Sequence, residues 1–341
     1  MMMKKLATAL SLGLLAAGFA HAEETTASAY GTLRIGVDNV NAGTSDDGMN
    51  GRDYLSAVGM KAAVKMDNGL TGVGQVEYGL RDENTVDIAQ MGQPTLRLAF
   101  VGLKGAFGEV YYGSQTPLWH KYVRSAYFSD GNDTVRLGTV REDDLTQYYF
   151  KGENFNLGAG IHTEGQEGDS LDSWSVGGEY KAGPATLQAA YTKDERGANT
   201  GGLLGVRAWY AVTDALTLSA YFHQADDDFD LYGGSSGNVA LTEAAVSGSV
   251  KGIGNCAGEE RTNQGVYAAY KIGAGKVHAR YAIDSCEDAG DVTSSKVEYV
   301  YYLAKNYNVW ASYEALNNDS TRMPATGKEM SEAQLGVRFD F

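Results

Sequence analysis

The sequence predicts an all-β protein: a 16-stranded antiparallel transmembrane β-barrel with a long third loop folded into the lumen. Three observations lead there. Apolar and polar residues alternate with period two in run after run, up to the final residue. The connections between these runs alternate strictly between long and short. No apolar run after the first 22 residues is long enough to cross a bilayer as a helix.

The chain opens with a positive MMMKK, then a mostly apolar stretch from Leu6 to Ala20, then Ala20-His21-Ala22. This is the pattern of a secretory signal peptide over residues 1–22, its apolar run too short for a convincing transmembrane helix. The expected mature chain, residues 23–341, is one barrel domain. Lys4 and Lys5 are the only charges before Glu23, so their removal takes the net charge from −15 to −17. Such acidity argues against a nucleic-acid partner and favours solubility in water or affinity for cations.

Composition alone leaves a choice. Gly 44 and Tyr 22 beside Pro 4 suits either an exported β protein with an apolar core or a membrane barrel, so the alternation has to decide. In AYGTLRIGVD, Ala29, Gly31, Leu33, Ile35 and Val37 share one face, and Tyr30, Thr32, Arg34 and Asp38 the other. Val58, Met60, Ala62, Val64 and Met66 alternate with Gly59, Lys61, Ala63 and Lys65, and Asp67-Asn68-Gly69 then makes a tight hairpin. The return strand sets Val76, Tyr78 and Leu80 against Gln75, Glu77 and Arg81. QPTLRLAFVGLKG continues the pattern to a turn at Gly105-Ala106-Phe107.

Further short turns are expected at 152–156, 182–184, 213–215, 272–275 and 305–307, seven in all. Between them lie eight longer polar connections, roughly 38–53, 82–95, 114–145, 164–173, 194–203, 225–262, 285–295 and 317–331. Fifteen connections join 16 strands, and both chain ends fall on the short-turn side. The last strand sets Leu335, Val337, Phe339 and Phe341 against Gln334, Gly336, Arg338 and Asp340.

A water-soluble sandwich has no reason to sort its connections by length. A barrel assembled from the periplasm does, with short turns inward and long loops outward. Strands near ten residues suffice to cross hydrocarbon when tilted. Their polar faces must then enclose water, because an open sheet edge in lipid leaves backbone groups unpaired. Tyr180, Tyr191, Tyr210, Tyr270, Tyr281 and Tyr313, near apolar strand ends, suit aromatic girdles or simply reflect strand propensity.

At AYGTLRIGVD, at FVGLKGAFGEVYYGSQ (100–115) and at the terminal GVRFDF, the sequence resembles the Gram-negative general porins. The resemblance runs the length of the mature chain and is nearest to the proteobacterial branch that includes the neisserial porins. It implies a homotrimer in the outer membrane of a Gram-negative bacterium, through which ions and small hydrophilic solutes diffuse. It also implies that the terminal Phe341 is read by the outer-membrane assembly machinery. The third loop does not match the acidic constriction motif of the enteric porins, so selectivity does not transfer with the family.

A 16-stranded barrel holds a lumen that wall side chains do not fill, so size selection needs something folded inside. The candidate is the third long connection, Ser114 to Asp143. Thr116 and Pro117 read as a helix start, so a short helix is expected over Pro117–Phe128. Trp119, Tyr122, Tyr127 and Phe128, with Val123, give it an apolar surface for the inner wall; an external lid or a trimer contact is the alternative. Arg34, Lys61, Lys65, Arg81 and Arg97 fall on the wet faces of the first four strands. Asp130, Asp133, Glu142 and Asp143 lie on the loop. The expectation is a basic wall facing an acidic loop across a narrow aqueous gap, with weak cation preference. Ordinary solvated lumen charges are the plainer reading, and Lys121, Arg124 and Arg136 on the same loop weaken any purely acidic constriction.

Cys256 and Cys286 are the only cysteines, on the sixth and seventh long connections, and an even count in an oxidising compartment favours a disulfide. His120, His162, His223 and His278 show no metal-ligand spacing, and no metal or other cofactor is expected. Asp226-Asp227-Asp228 suits a solvated acidic loop better than a divalent ion bridging lipopolysaccharide phosphates. A barrel enzyme needs a nucleophile, a histidine and an acid facing lipid, whereas His162, His223 and His278 fall on wet faces. A substrate-specific channel for sugars or small organic acids stays open, because Trp209, Trp310, Tyr111 and Tyr221 are expected in the lumen as a ladder for sugar rings.

Overall fold

The computed structural model describes residues 24–41, 48–80, 95–130, 137–163, 171–195, 201–229, 256, 259–319 and 329–341. The expected signal peptide, Arg81, Asp133 and Arg136 lie outside them. Seventeen strand segments join into one antiparallel sheet that closes on itself. They begin with β1 (Glu24–Asn41), β2 (Gly48–Asp53), β3 (Ala57–Lys65), β4 (Thr71–Gly79), β5 (Thr95–Gly105), β6 (Gly108–Gln115), β7 (Glu142–Lys151) and β8 (Phe155–His162). β9 (Ser173–Ala182), β10 (Ala185–Asp194), β11 (Gly202–Ala211), β12 (Leu216–Ala225) and β13 (Arg261–Ile272) follow. β14 (Gly275–Cys286), β15 (Gly290–Ala304), β16 (Tyr307–Asn318) and β17 (Glu329–Asp340) complete the wall.

Seventeen segments fill sixteen places. β1 pairs along one edge with β2 (Ile35↔Asp53 to Val40↔Gly48) and then with β3 (Glu24↔Lys65 to Thr32↔Ala57). The break between them is bridged: Arg34 N donates to Ser56 Oγ at 2.9 Å and Tyr54 N to Arg34 O at 2.7 Å. Leu55 between them takes a φ of 70°. On its other edge β1 meets β17, from Thr32↔Asp340 to Asn41↔Ser331, and Gly31 and Phe341 exchange backbone hydrogen bonds at 2.9 and 3.0 Å. All seven expected short turns fall between neighbouring strands. The first long connection is shorter than expected, because β1 runs on to Asn41 and β2 starts at Gly48.

Burial is inverted relative to a water-soluble protein. In β14, His278, Arg280 and Asp284 are buried while Ala279 and Tyr281 are exposed. Across the wall, Asp284 and Glu298 are 0% exposed, whereas Val101 is 64% and Leu335 59% exposed. An outer belt this apolar is solvated by hydrocarbon. One strand breaks the simple pattern. Between β4 and β5 the register slips so that Glu77 faces Leu98 and Tyr78 faces Leu96, leaving Arg97 as the extra residue of a bulge. Arg97 still reaches Glu77 at 2.8 Å, and Leu98 and Phe100 now turn into the lumen with it.

Candidate functional site

The connection between β6 and β7 folds through the barrel interior. Its helical stretch is shorter than the expected Pro117–Phe128: Lys121 N donates to Pro117 O at 3.1 Å, and a π-type turn spans His120–Arg124. Ser125 then turns extended, with ψ 138°. The wall ends the helix by taking its carbonyls. Arg207 on β11 donates to Tyr122 O (2.9 Å), Ser125 O (3.0 Å) and Ser125 Oγ (2.7 Å), and His223 Nε2 lies 3.3 Å from Val123 O. Carbonyls satisfied from outside need no continuing turn. Tyr127 and Phe128 therefore lie beyond the helix.

All four packing residues sit against the inner wall. Trp119, Tyr122 and Val123 pack with Leu203, Ala225 and Phe229. Two glycines allow the close approach: a Cβ on Gly205 of β11 would meet the Trp119 ring at 2.6 Å, and one on Gly158 of β8 would meet Leu118 at 2.5 Å. Tyr127 stacks on Tyr267 with centroids 4.2 Å apart, and its hydroxyl lies 3.0 Å from Ser219 Oγ. Phe128 lies under the Lys296 ammonium, 4.9 Å from the ring centre. Ser129 donates its N–H and hydroxyl to Glu298. Asp130 Oδ2 lies 2.6 Å from Lys296 Nζ on β15. β15 stands eight strands away from β7, so the loop reaches it only across the interior.

This placement corrects the expected electrostatics. Asp130 points to the far wall, where it is 1% exposed and matched by Lys296, so it is an anchor and not a pore-facing acid. Glu142 accepts the Thr139 hydroxyl at 2.7 Å, and Asp143 lies 3.9 Å from His162. On the wall, Arg97 is paired with Glu77, Lys65 bonds Glu24 at the rim, and Arg34 stands in register with Arg338 and donates to Thr32. Of the four described basic wall residues, Lys61 is the one that lines the open space beside the loop, and Arg81 lies outside the described residues.

That space is a cavity of about 640 Å³ between the third loop and the inner faces of β1 and β3–β7. Lys61, Lys104 and Lys121 face it together with Glu109, and Phe100, Tyr111 and Tyr149 form an aromatic side. Tyr111 packs edge-on against Phe100 (5.5 Å) and Tyr149 (5.9 Å). A second cavity of about 390 Å³ shares Lys104, Glu109, Lys121 and Tyr149 and leads to the short turn at Gly105-Ala106. Lys104 lies 3.7 Å from Glu109, whose carboxylate also accepts the Tyr111 hydroxyl. Lys121 Nζ sits 3.4 Å from the Tyr149 ring centre. Confinement in the narrow lumen lowers its ammonium to about 8, against the raising pull of Glu109 and Glu179.

Lys104, Glu109 and Tyr149 were absent from the expected site; alternation with Tyr111 already puts Glu109 on the wet face, whereas Lys104, seven residues after Arg97, comes inward only through the bulge. The expected aromatic ladder does not form. Trp209 and Tyr221 are taken up by packing around Tyr127, and Trp310 is buried against Tyr54. Of those four, Tyr111 lines the cavity.

Near the long-loop rim, Cys256 and Cys286 are joined by a disulfide with Cα atoms 5.4 Å apart. Next to Cys286 in the wall, Arg261 Nε donates to both carboxylate oxygens of buried Asp284, at 3.0 and 3.1 Å. Asp226 accepts the Gly202 N–H at 2.8 Å, so the first acid of the 226–228 triplet closes the β11–β12 end.

A closed antiparallel barrel with an apolar belt, a charged interior and a loop laid across its lumen is the architecture of a membrane channel. The description Gram-negative porin matches residues 7–321, and the chain belongs to that family of the outer membrane. A monosaccharide porin of Halomonas sp. is 28% identical over 218 residues, which cover 55% of this chain and 59% of that protein. The chain thus spans about three fifths of that relative's length. Outer membrane porin F of Salmonella typhi is 24% identical over 385 residues, covering 100% of both chains. Among solved structures, the trimer form of OmpT, an outer membrane protein of Vibrio cholerae, superposes with a TM-score of 0.67 at 17% identity, over 94% of this chain and 100% of that one. At that identity the likeness concerns the fold alone.

Proposed function

We propose that the protein is a general diffusion porin, a water-filled channel for passive passage of ions and small hydrophilic solutes, and not an enzyme. The observation that carries this is the third loop, fixed to the far wall from Arg207 to Lys296 with a charged, open cavity beside it. Such a loop narrows a wide lumen without closing it. The reading extends to a chain cleaved after Ala22 and inserted with the help of Phe341, whose ring packs on Phe339 and over Gly31. It extends also to a homotrimer, the form the Vibrio protein takes, and to a setting in outer-membrane lipid and lipopolysaccharide.

Net charge and cavity charge disagree on selectivity. The chain's acidity led to the expectation of weak cation preference, but acids on outer loops are screened beyond about 8–10 Å. Within a low-dielectric gap the nearest charges dominate. Among the described residues those are Lys61, Lys104 and Lys121 against Glu109. The proposal is therefore a weak anion preference. A reversal potential across a planar bilayer under a KCl gradient tests it, and a clear cation preference would refute that part. A swelling series with neutral sugars tests the channel itself. A smooth size cutoff is expected, and no swelling at all would sink the diffusion reading.

A further inference from the structure

We propose that the cavity beside the third loop is a binding site for an anionic monosaccharide, a pyranose bearing one carboxylate or phosphate. The inference rests on the diffusion-channel reading and deepens it. Three observations meet in one place. The first is unbalanced charge. Lys104 shares Glu109 at 3.7 Å, but neither Lys61 nor Lys121 has a carboxylate within 4 Å among the described residues. Lys61 Nζ instead lies over Tyr30 (4.6 Å), and Lys121 Nζ over Tyr149 (3.4 Å). Two ammonium groups held by ring faces and open to the cavity give an anion a place that no group among the described residues occupies.

The second is the aromatic side. Phe100, Tyr111 and Tyr149 stand edge to face, with centroids 5.5 and 5.9 Å apart, on the wall between the two lysines' elements β3 and the third loop. Inward aromatic surface in an aqueous lumen suits the apolar C–H face of a sugar ring, which a bare inorganic anion lacks. Phe100 is there because of the β5 bulge at Arg97; an unbroken register would have turned it outward. The third is size. A volume of about 640 Å³ falls within the range of small-ligand sites and continues into the 390 Å³ cavity toward the short-turn rim. A solute held there stays on the transit path.

The test is ion current through the full mature protein in a planar bilayer, with D-glucuronate, glucose 6-phosphate, glucose, acetate or inorganic phosphate added. Saturable current block by glucuronate and by glucose 6-phosphate is expected, at concentrations about tenfold below those at which glucose, acetate or phosphate have any effect. Lys61→Met and Lys121→Met should each weaken the glucuronate block about tenfold, the worth of one charge-assisted hydrogen bond. Lys121→Arg should keep most of it. Tyr149→Leu should weaken glucuronate block with little change for inorganic phosphate. Block by acetate or phosphate equal to that by glucuronate overturns the sugar assignment. Wild-type block in both lysine variants overturns the site. Normal conductance with no block by any of the five defeats this inference alone, whereas absent conductance defeats the channel reading beneath it.

Discussion

Lys296 on β15 and Asp130 on the third loop meet at 2.6 Å with side chains 1% and 0% exposed, closing a contact between residues 166 positions apart. The pair is not alone. Lys296 also lies 3.5 Å from Glu314, which takes Arg280 at 2.9 Å, and Glu298 beside it holds Ser129. Lys296 and Arg280 thus pair with Asp130 and Glu314 under the tip of the loop, and Glu298 is held by hydrogen bonds from Ser129. Removing one member of a buried pair leaves its partner uncompensated, at a cost of about 3–5 kcal/mol. Lys296→Met is expected to lower the thermal unfolding midpoint and to add open-channel current noise as the tip comes loose. Lys296→Met with Asp130→Asn should recover part of both. A quiet single-mutant channel of unchanged stability would show that the loop is held elsewhere.

The glycine floor gives a second expectation, with a direction set by where the open space lies. The loop packs toward β8–β15, and the cavity is on the opposite side, by β3–β7. A side chain at Gly205 meets the Trp119 ring at 2.6 Å and pushes the loop into the cavity. Overpacking of this kind costs about 1–3 kcal/mol. Gly205→Leu should therefore lower single-channel conductance and shift the sugar cutoff in liposome swelling to smaller sugars, with Gly205→Ala between it and the parent. An enlarged cutoff would mean that the loop moves some other way.

How far could these features be read from the sequence? The barrel was legible because alternation is local: one residue's neighbours decide its face, and turn chemistry such as Asn68-Gly69 marks where strands reverse. Even the division of one place between β2 and β3 leaves the count intact. The site was legible only in part. Trp119, Tyr122, Tyr127 and Phe128 signalled an inward loop through their apolar surface, but nothing local in Asp130 names Lys296 as its partner. The helix was overestimated because Arg207, 82 positions after Ser125, supplies the hydrogen bonds that stop it. The Arg97 bulge was hidden for a different reason: alternation set inward by Arg97 puts apolar Leu98 and Phe100 on the lipid side, and only the pairing with Glu77 shows that the strand turns Arg97 and Leu98 both inward.

The disulfide ties Cys286 at the end of β14 to Cys256 in the preceding long connection, 30 positions earlier. Closing a loop of that length is worth about 3–4 kcal/mol in the chain-entropy account. The barrel ladder itself does not depend on it, since β13 and β14 pair from Arg261↔Cys286 to Ile272↔Gly275. Mass spectrometry without reductant should find a chain two hydrogens lighter than the reduced one. Cys256→Ser with Cys286→Ser should still insert and conduct, with a lower thermal unfolding midpoint. Two thiols open to alkylation in the untreated protein would contradict the bond.

Lys121 makes the selectivity depend on pH within an accessible range. Its ammonium, lowered to about 8 by confinement, carries a charge at pH 6 and has lost most of it by pH 9. The loss removes a positive charge from the cavity wall, so preference for anions should fall as pH rises through 8. One charge acting on an ion about 7 Å away in water is worth about 0.6 kcal/mol, roughly a threefold change in permeability ratio. The reversal potential under a fixed KCl gradient should therefore move toward the cation side between pH 6 and pH 9. In Lys121→Met the same titration should be nearly flat, starting near the high-pH value of the parent. In Lys121→Arg it should be flat near the low-pH value, because a guanidinium keeps its charge throughout. A full-sized swing in either variant would place the titrating group elsewhere, and a parent channel with no swing would mean that Lys121 keeps its proton past pH 9.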